Sequence, residues 1–316
     1  MTNRAPSVLI LALLAAVSVQ AAQDTKPVQA GKPVLWVDPG AIPARDLAWG
    51  NGAKDRMPQP PFTFIEEDTG GTQPKVKVRD AAGREWTAKF GEEVHSAIAA
   101  SRLVWALGYV AEELYFVERG TIEGVKELER GAEFVQPDGA FTNASFRLRD
   151  DASERAEERW TFEKNPFAGS RELSGLAILM TMICNWDIQG ERNNRILRSG
   201  GVDRYAVTDL GATFGKMGTF PMPRSKWNVA DFQKEEFIDS ADANWVGLDY
   251  EGYGSIDKVP MPHARWFSAL ASQLTDEQLK AAFLAAGATP SDADGFAARL
   301  RAKIEELRKA TTSGAN

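Results

Sequence analysis

Between Leu173 and Ile183 the chain reads Leu-Ser-Gly-Leu-Ala-Ile-Leu-Met-Thr-Met-Ile, apolar on nearly every side of a helix. A helix without a polar face must be enclosed by other elements, so the fold has to be built around this one. Ser170, just ahead of it, is suited to cap its first turn. The helix delivers Cys184 and then Asn185-Trp186-Asp187 at its end, followed by Ile188-Gln189-Gly190-Glu191-Arg192-Asn193-Asn194. Arg195-Ile196-Leu197 and Tyr205-Ala206-Val207 flank Ser199-Gly200-Gly201, which predicts a hairpin whose second strand hands on Asp209-Leu210-Gly211.

Upstream the pattern changes to strand. Phe62 to Glu66 alternates, the cluster Asp68 to Pro74 turns the chain, Val76 and Val78 alternate again, and Asp80-Ala81-Ala82-Gly83 leads into Glu85 to Phe90. In that third strand Trp86, Ala88 and Phe90 share one face, and Thr87 and Lys89 the other. A helical stripe from Glu93 to Leu107 ends at Gly108, and residues 110–118 return to strand. Strand, strand, strand, helix, strand describes a small α+β lobe over residues 61–118. Residues 119–164 are charged and poorly periodic, which predicts an irregular connection. From 165 to 310 the pattern is mainly helical, with Thr275 and Gln278 forming a capping box and Ser291 opening a last helix to about Lys309.

The N-terminal end has a different character. Arg4, the apolar run Val8 to Val17 and Val19-Gln20-Ala21 read as a signal peptide over residues 1–22, which predicts an exported protein, periplasmic or extracellular. Residues 23–60 carry six prolines and predict an extended arm, part of which Trp36 and Trp49 should anchor. No later stretch is long and apolar enough to span a membrane. A net charge of −7 argues against nucleic acid as a partner. The single cysteine excludes an internal disulfide and fits a small core residue. With only His95 and His263, and no ligand spacing around either, a zinc hydrolase is disfavoured.

The order of polar residues suits phosphoryl transfer. That chemistry needs a carboxylate beside the attacking hydroxyl, hard oxygen ligands for magnesium and a cation on the nucleotide phosphates. Asp187 is the candidate base, Asp209 with Asn193 or Asn194 the candidate metal ligands, and Lys89 the phosphate cation. Gly70, Gly71 and Thr72, in the loop of the first hairpin, are candidates to lie over the nucleotide. Two other readings use the same residues: a nucleotide or ligand-binding module without catalysis, and a glycosidase using Asp187 and Asp209 as its carboxylate pair.

Trp86-Thr87-Ala88-Lys89-Phe90, a helix with Ala99-Ala100-Ser101, and Leu107-Gly108-Tyr109 resemble the N-lobe of the phosphatidylinositol-kinase and bacterial toxin-kinase branches of the protein-kinase-like superfamily. Asp187, Asn193-Asn194 and Asp209-Leu210-Gly211 are similar to that superfamily's catalytic loop and metal-binding motif. The chain also looks like a group of uncharacterised exported bacterial proteins with an Asn-Trp-Asp…Asn-Asn pattern. The resemblance implies a two-lobed α+β fold, ATP and magnesium as cofactors, and a protein, lipid or small molecule as phosphate acceptor. The sequence departs from the pattern in four places, one of them Leu210 where the metal-binding motif usually has Phe. Asn193 and Asn194 lie six and seven residues beyond Asp187 instead of five, Trp186 stands where His or Arg is usual, and the position aligned with the lysine's glutamate partner is Ala97, with Glu92 and Glu93 nearby.

Overall fold

A computed structural model describes residues 31–149, 154–188, 194–218, 221–252 and 256–313. In chain order the elements are β1 (Lys32–Val34), β2 (Phe62–Glu67), β3 (Lys75–Arg79), β4 (Glu85–Lys89), α1 (Val94–Ala106), β5 (Leu114–Glu123), β6 (Ala140–Leu148) and β7 (Glu154–Arg159). Then come α2 (Arg171–Met182), β8 (Asn194–Ser199), β9 (Val202–Val207), α3 (Val229–Phe232), β10 (Ile238–Ala241), β11 (Trp245–Leu248) and β12 (Lys258–Pro260). The chain closes with α4 (Met261–Ala271), α5 (Asp276–Ala285) and α6 (Pro290–Ser313).

Five strands close into a barrel in the order β2-β3-β4-β6-β5, with β2 and β5 meeting in parallel at Phe62 and Ile122. The expected alternation holds: Val76, Val78, Trp86, Ala88 and Phe90 fill the interior with Phe62, Phe141 and Phe146. The other face of β4 is then free to carry Lys89 out of the barrel. α1 belongs to a second, larger core, which it shares with α2 and in which it packs against α5. Gly108 ends its last turn at φ +87, and a Cβ there would collide with the carbonyl of Val37.

α2 is enclosed as its composition demands: Gly175 to Met182 are all buried, and the Ser170 hydroxyl accepts the Leu173 N–H at 3.1 Å. The capping box of Thr275 and Gln278 forms at the head of α5. β8 and β9 make the predicted hairpin inside a four-stranded sheet ordered β1-β9-β8-β7.

Two expectations are corrected. Residues 119–164 are not an irregular connection, since β5 runs on to Glu123, β6 completes the barrel and β7 lines the edge of the second sheet. The alternation of β6 is broken by Thr142 and Asn143, exposed in succession, with Asn143 at φ 53. β7 is a charged edge strand, Glu-Arg-Ala-Glu-Glu-Arg, so it has almost no apolar pattern to read. The helical region also holds a three-stranded sheet, β10-β11-β12, whose strands of three or four residues are too short to show a period.

The proline-rich arm is packed down from residue 31 onward. β1 pairs in parallel with β9, and Leu35, Ile42 and Leu47 are buried in the large core. Trp36 donates from Nε1 to the Leu107 carbonyl at 2.8 Å, and the Gln278 side chain donates to the carbonyls of Ile42 and Arg45, each at 2.7 Å. Among the described residues no helix is long and apolar enough to cross a membrane.

Candidate functional site

Lys89 ends β4 on the outer face of the barrel, and α1 begins five residues later. That short link brings Glu93, the residue preceding α1, back over the strand end, where its Oε2 lies 2.8 Å from Lys89 Nζ. Lys89 therefore pairs with Glu93, while Ala97, one turn further along, is buried in the helix core. Sequence reasoning missed a second cation. Lys226 reaches Glu93 Oε1 at 3.2 Å and Glu92 at 3.6 Å. Burial pushes Glu93 toward its neutral form, but the two lysines outweigh it and hold the carboxyl below its ordinary value.

The Asp209-Leu210-Gly211 segment packs against this group. A Cβ on Gly211 would lie 2.6 Å from the Glu93 Cβ, so only glycine allows the approach. The buried Ser96 hydroxyl donates to the Gly211 carbonyl at 2.6 Å. Burial pushes Asp209 above the usual aspartate value. Lys89 and a backbone N–H from Gly211 pull it back, while Glu93 and Glu112 add to the rise. A carboxylate held this way is short of positive charge.

The turn after α2 is bound to the same segment. Buried Asn185 donates from its amide to the Asp209 carbonyl at 3.3 Å and accepts the Asp187 N–H on Oδ1 at 3.2 Å. The Trp186 N–H donates to the Ala212 carbonyl at 3.2 Å, and the Phe214 N–H to Ile183 at 2.9 Å. Tyr250 donates to the Asn185 carbonyl at 2.9 Å, and Arg224 stacks 4.4 Å over the Trp186 ring. Asp187 is thus placed beside the backbone that carries Asp209. Behind the turn, Cys184 is fully buried with Lys303 Nζ 3.0 Å from its sulfur. Burial raises the thiol above its ordinary value, as expected of an inert core cysteine.

Asn194 opens β8 opposite Val207, two residues before Asp209. It is fully buried, and neither its Oδ1 nor its Nδ2 has a hydrogen-bond partner. Such a group is costly unless something else completes it. Asn193 lies outside the described residues. No group of three His, Cys, Asp or Glu side chains converges on one point among the described residues. One carboxylate with an amide oxygen is nonetheless a donor set that magnesium accepts when phosphates and water supply the rest. The orphaned Asn194 amide and the under-compensated Asp209 carboxylate fit that requirement.

The Gly70-Gly71-Thr72 loop sits at the Lys89 end of the barrel, since Lys75 at its foot pairs with Lys89 and the Phe90 N–H donates to Pro74 at 3.0 Å. Arg130 ties the loop down through the carbonyls of Thr69, Gly71 and Thr72, and the Gly70 N–H donates to Asp68 at 3.0 Å.

Beside Lys89 on the same face, Lys77, Thr87 and Arg147 stand side by side across β3, β4 and β6. They form one wall of a cleft of about 770 Å³, with Leu197 of β8 contributing from the second sheet. Glu112 lies 3.6 Å from Arg147 in this cleft, also contacts Arg155, and acts electrostatically on Asp209. The cleft and the Lys89 site are therefore neighbours. Sequence patterns could not reveal it, because its walls come from strands far apart in the chain.

No family model and no curated protein matches the chain. Among solved structures it is similar to the crystal structure of the Golgi casein kinase, at 13% identity and a TM-score of 0.43, over 85% of this chain and 80% of that one. The Golgi casein kinase with Mn/ADP bound is similar at 13% identity and a TM-score of 0.41, over the same 85% and 80%.

Proposed function

We propose that the chain is an exported, two-lobed, kinase-like protein that binds ATP or another nucleotide with magnesium and transfers a phosphoryl group to an acceptor hydroxyl. The observation that carries this reading is the Lys89–Glu93 ion pair packed directly on the Asp209-Leu210-Gly211 segment, with the Asn185 to Asp187 turn hydrogen-bonded to that same segment. Glu93 fixes the Lys89 ammonium so that it can donate to a phosphate oxygen. Asp187, steadied through Asn185, accepts the proton of the attacking hydroxyl. Asp209 and Asn194, or its neighbour Asn193, supply the oxygen ligands for magnesium, which when bound would neutralise charge on the transferring phosphate.

Thermal unfolding with ATP and magnesium tests this. Nucleotide at about 100 times its Kd should stabilise the protein by about 2.7 kcal/mol. Asp209→Ala should abolish the metal-dependent part. Asp187→Ala should keep the thermal shift and lower transfer by about 10²-fold or more. Absence of any shift with the wild type defeats the nucleotide reading. Transfer by Asp187→Ala at the wild-type rate removes Asp187 as the base. Binding with no transfer by the wild type identifies a binding module without catalysis.

A further inference from the structure

The cleft beside Lys89 carries an excess of positive charge in a chain whose net charge is −7. Most charges on its wall are matched. Arg56 pairs with Glu113 at 2.7 Å, Lys77 contacts Glu66, and Asp68 lies 3.5 Å from Lys75. Among the described residues that leaves Arg147 and Arg155 on the carboxylate of Glu112, with Arg149 lining the same cleft. No ion pair is seen for Arg149 among the described residues. Burial lowers Arg147 below its ordinary value, and Arg155 and Arg149 push it the same way against Glu112 and Asp68.

Two guanidinium groups sharing one carboxylate, with a third acting on Arg147 from the same cleft, repel each other, and the arrangement costs free energy until a further anion joins it. Among the described residues, only Ala111, Leu148 and Leu197 give the cleft apolar surface, and no aromatic ring lines it for a flat base to stack on. Guanidinium forks match phosphate oxygens in pairs.

We infer that this cleft is an anion subsite in which Arg147, Arg149 and Arg155 bind a phosphate group of a small molecule, separate from the phosphate contact made by Lys89. The subsite stands on its own charges and goes beyond the kinase-like reading, whose metal ligands it does not use. Glu112 competes with the ligand for the arginines and sets its affinity.

Calorimetric titration with inorganic pyrophosphate in the presence of EDTA tests the subsite. Arg155→Gln and Arg147→Gln should each weaken pyrophosphate about tenfold or more, whereas Lys89→Ala should change it by less than about threefold. Glu112→Gln should tighten binding, a gain that damage to the fold cannot produce. Binding should also weaken with added salt. Failure of pyrophosphate to bind, or a loss confined to Lys89→Ala, overturns the subsite. An adventitious response would show no dependence on Glu112, and that result overturns it as well. Adding ATP with magnesium to the pyrophosphate complex distinguishes two sources of the phosphate: displacement assigns it to the nucleotide, and joint binding assigns it to a second phosphorylated compound, either of which upholds the subsite. Because the pyrophosphate titration contains no divalent metal, it can succeed where the Asp209-dependent ATP shift fails, and the reverse.

Discussion

Asp80, in the turn between β3 and β4, organises one end of the barrel. Its Oδ1 accepts the N–H groups of Ala82 at 3.0 Å and Arg84 at 2.9 Å, and its Oδ2 accepts from Trp86 Nε1 at 3.0 Å and Arg84 Nη2 at 2.7 Å. Burial raises its carboxyl, but Arg84, Trp86 and the backbone donors outweigh that and leave it below the usual aspartate value. Asp80→Ala should therefore cost about 1–3 kcal/mol in urea unfolding, because the buried Trp86 indole N–H is left without its acceptor and the half-buried Arg84 guanidinium loses its partner. The pH dependence follows from the depressed value. The stabilisation is complete above the pKa of an unfolded aspartate, about 3.9, and is lost as pH falls from there through the folded value. Urea midpoints measured across that window should fall for the wild type and fall less for Asp80→Asn. An equal fall in both would show that Asp80 is not the group responsible.

Between elements, the critical contact is α1 against the segment that follows β9. Ser96→Ala removes the hydroxyl on the Gly211 carbonyl and leaves a buried acceptor unmet, which should cost about 1–3 kcal/mol. It should also loosen the Glu93 grip on Lys89. If the Asp209 segment relies on this contact, nucleotide affinity in Ser96→Ala should fall alongside thermal stability. Unchanged affinity in a destabilised variant would confine Ser96 to a packing role. Much at this scale was legible in the chain. The caps at Ser170 and Thr275, the three strands around Val76 and Trp86, and the glycine hairpin before Asp209 each carry a local signal in spacing and turn chemistry. The partner of Lys89 is not legible, because the aligned position is Ala97 and which nearby glutamate, Glu92 or Glu93, turns back over the strand depends on how α1 begins. Lys226 meets Glu93 across 133 residues, and the three arginines meet across β6 and β7. No local period encodes such meetings, since they follow from sheet register and tertiary packing.

For the whole molecule, the described part of the arm acts as a clasp. Its Leu35, Ile42 and Leu47 are part of the same large core as α1 and α5, and Arg102 inside α1 donates to the Leu114 carbonyl at 2.8 Å and to the carbonyl of Trp49. Leu35→Ala and Ile42→Ala should each cost about 2–5 kcal/mol by thermal or urea unfolding, as buried core positions do. A cost under about 0.5 kcal/mol, typical of surface sites, would show that the arm detaches without consequence.

The parallel pairing of β1 with β9 also bears on the timing of folding. Lys32 meets Val202, and the carbonyl of Ile42 meets a side chain 236 residues further along. Among the described strands, the one that leaves the ribosome first must wait for a partner made after most of the chain. Contacts of such long range are slow to close, and they cannot form while the nascent chain is still short. The sheet that hands on Asp209 therefore gains its outer strand only once β9 has been synthesised, so a chain stopped short of β9 remains unclasped and can still be threaded.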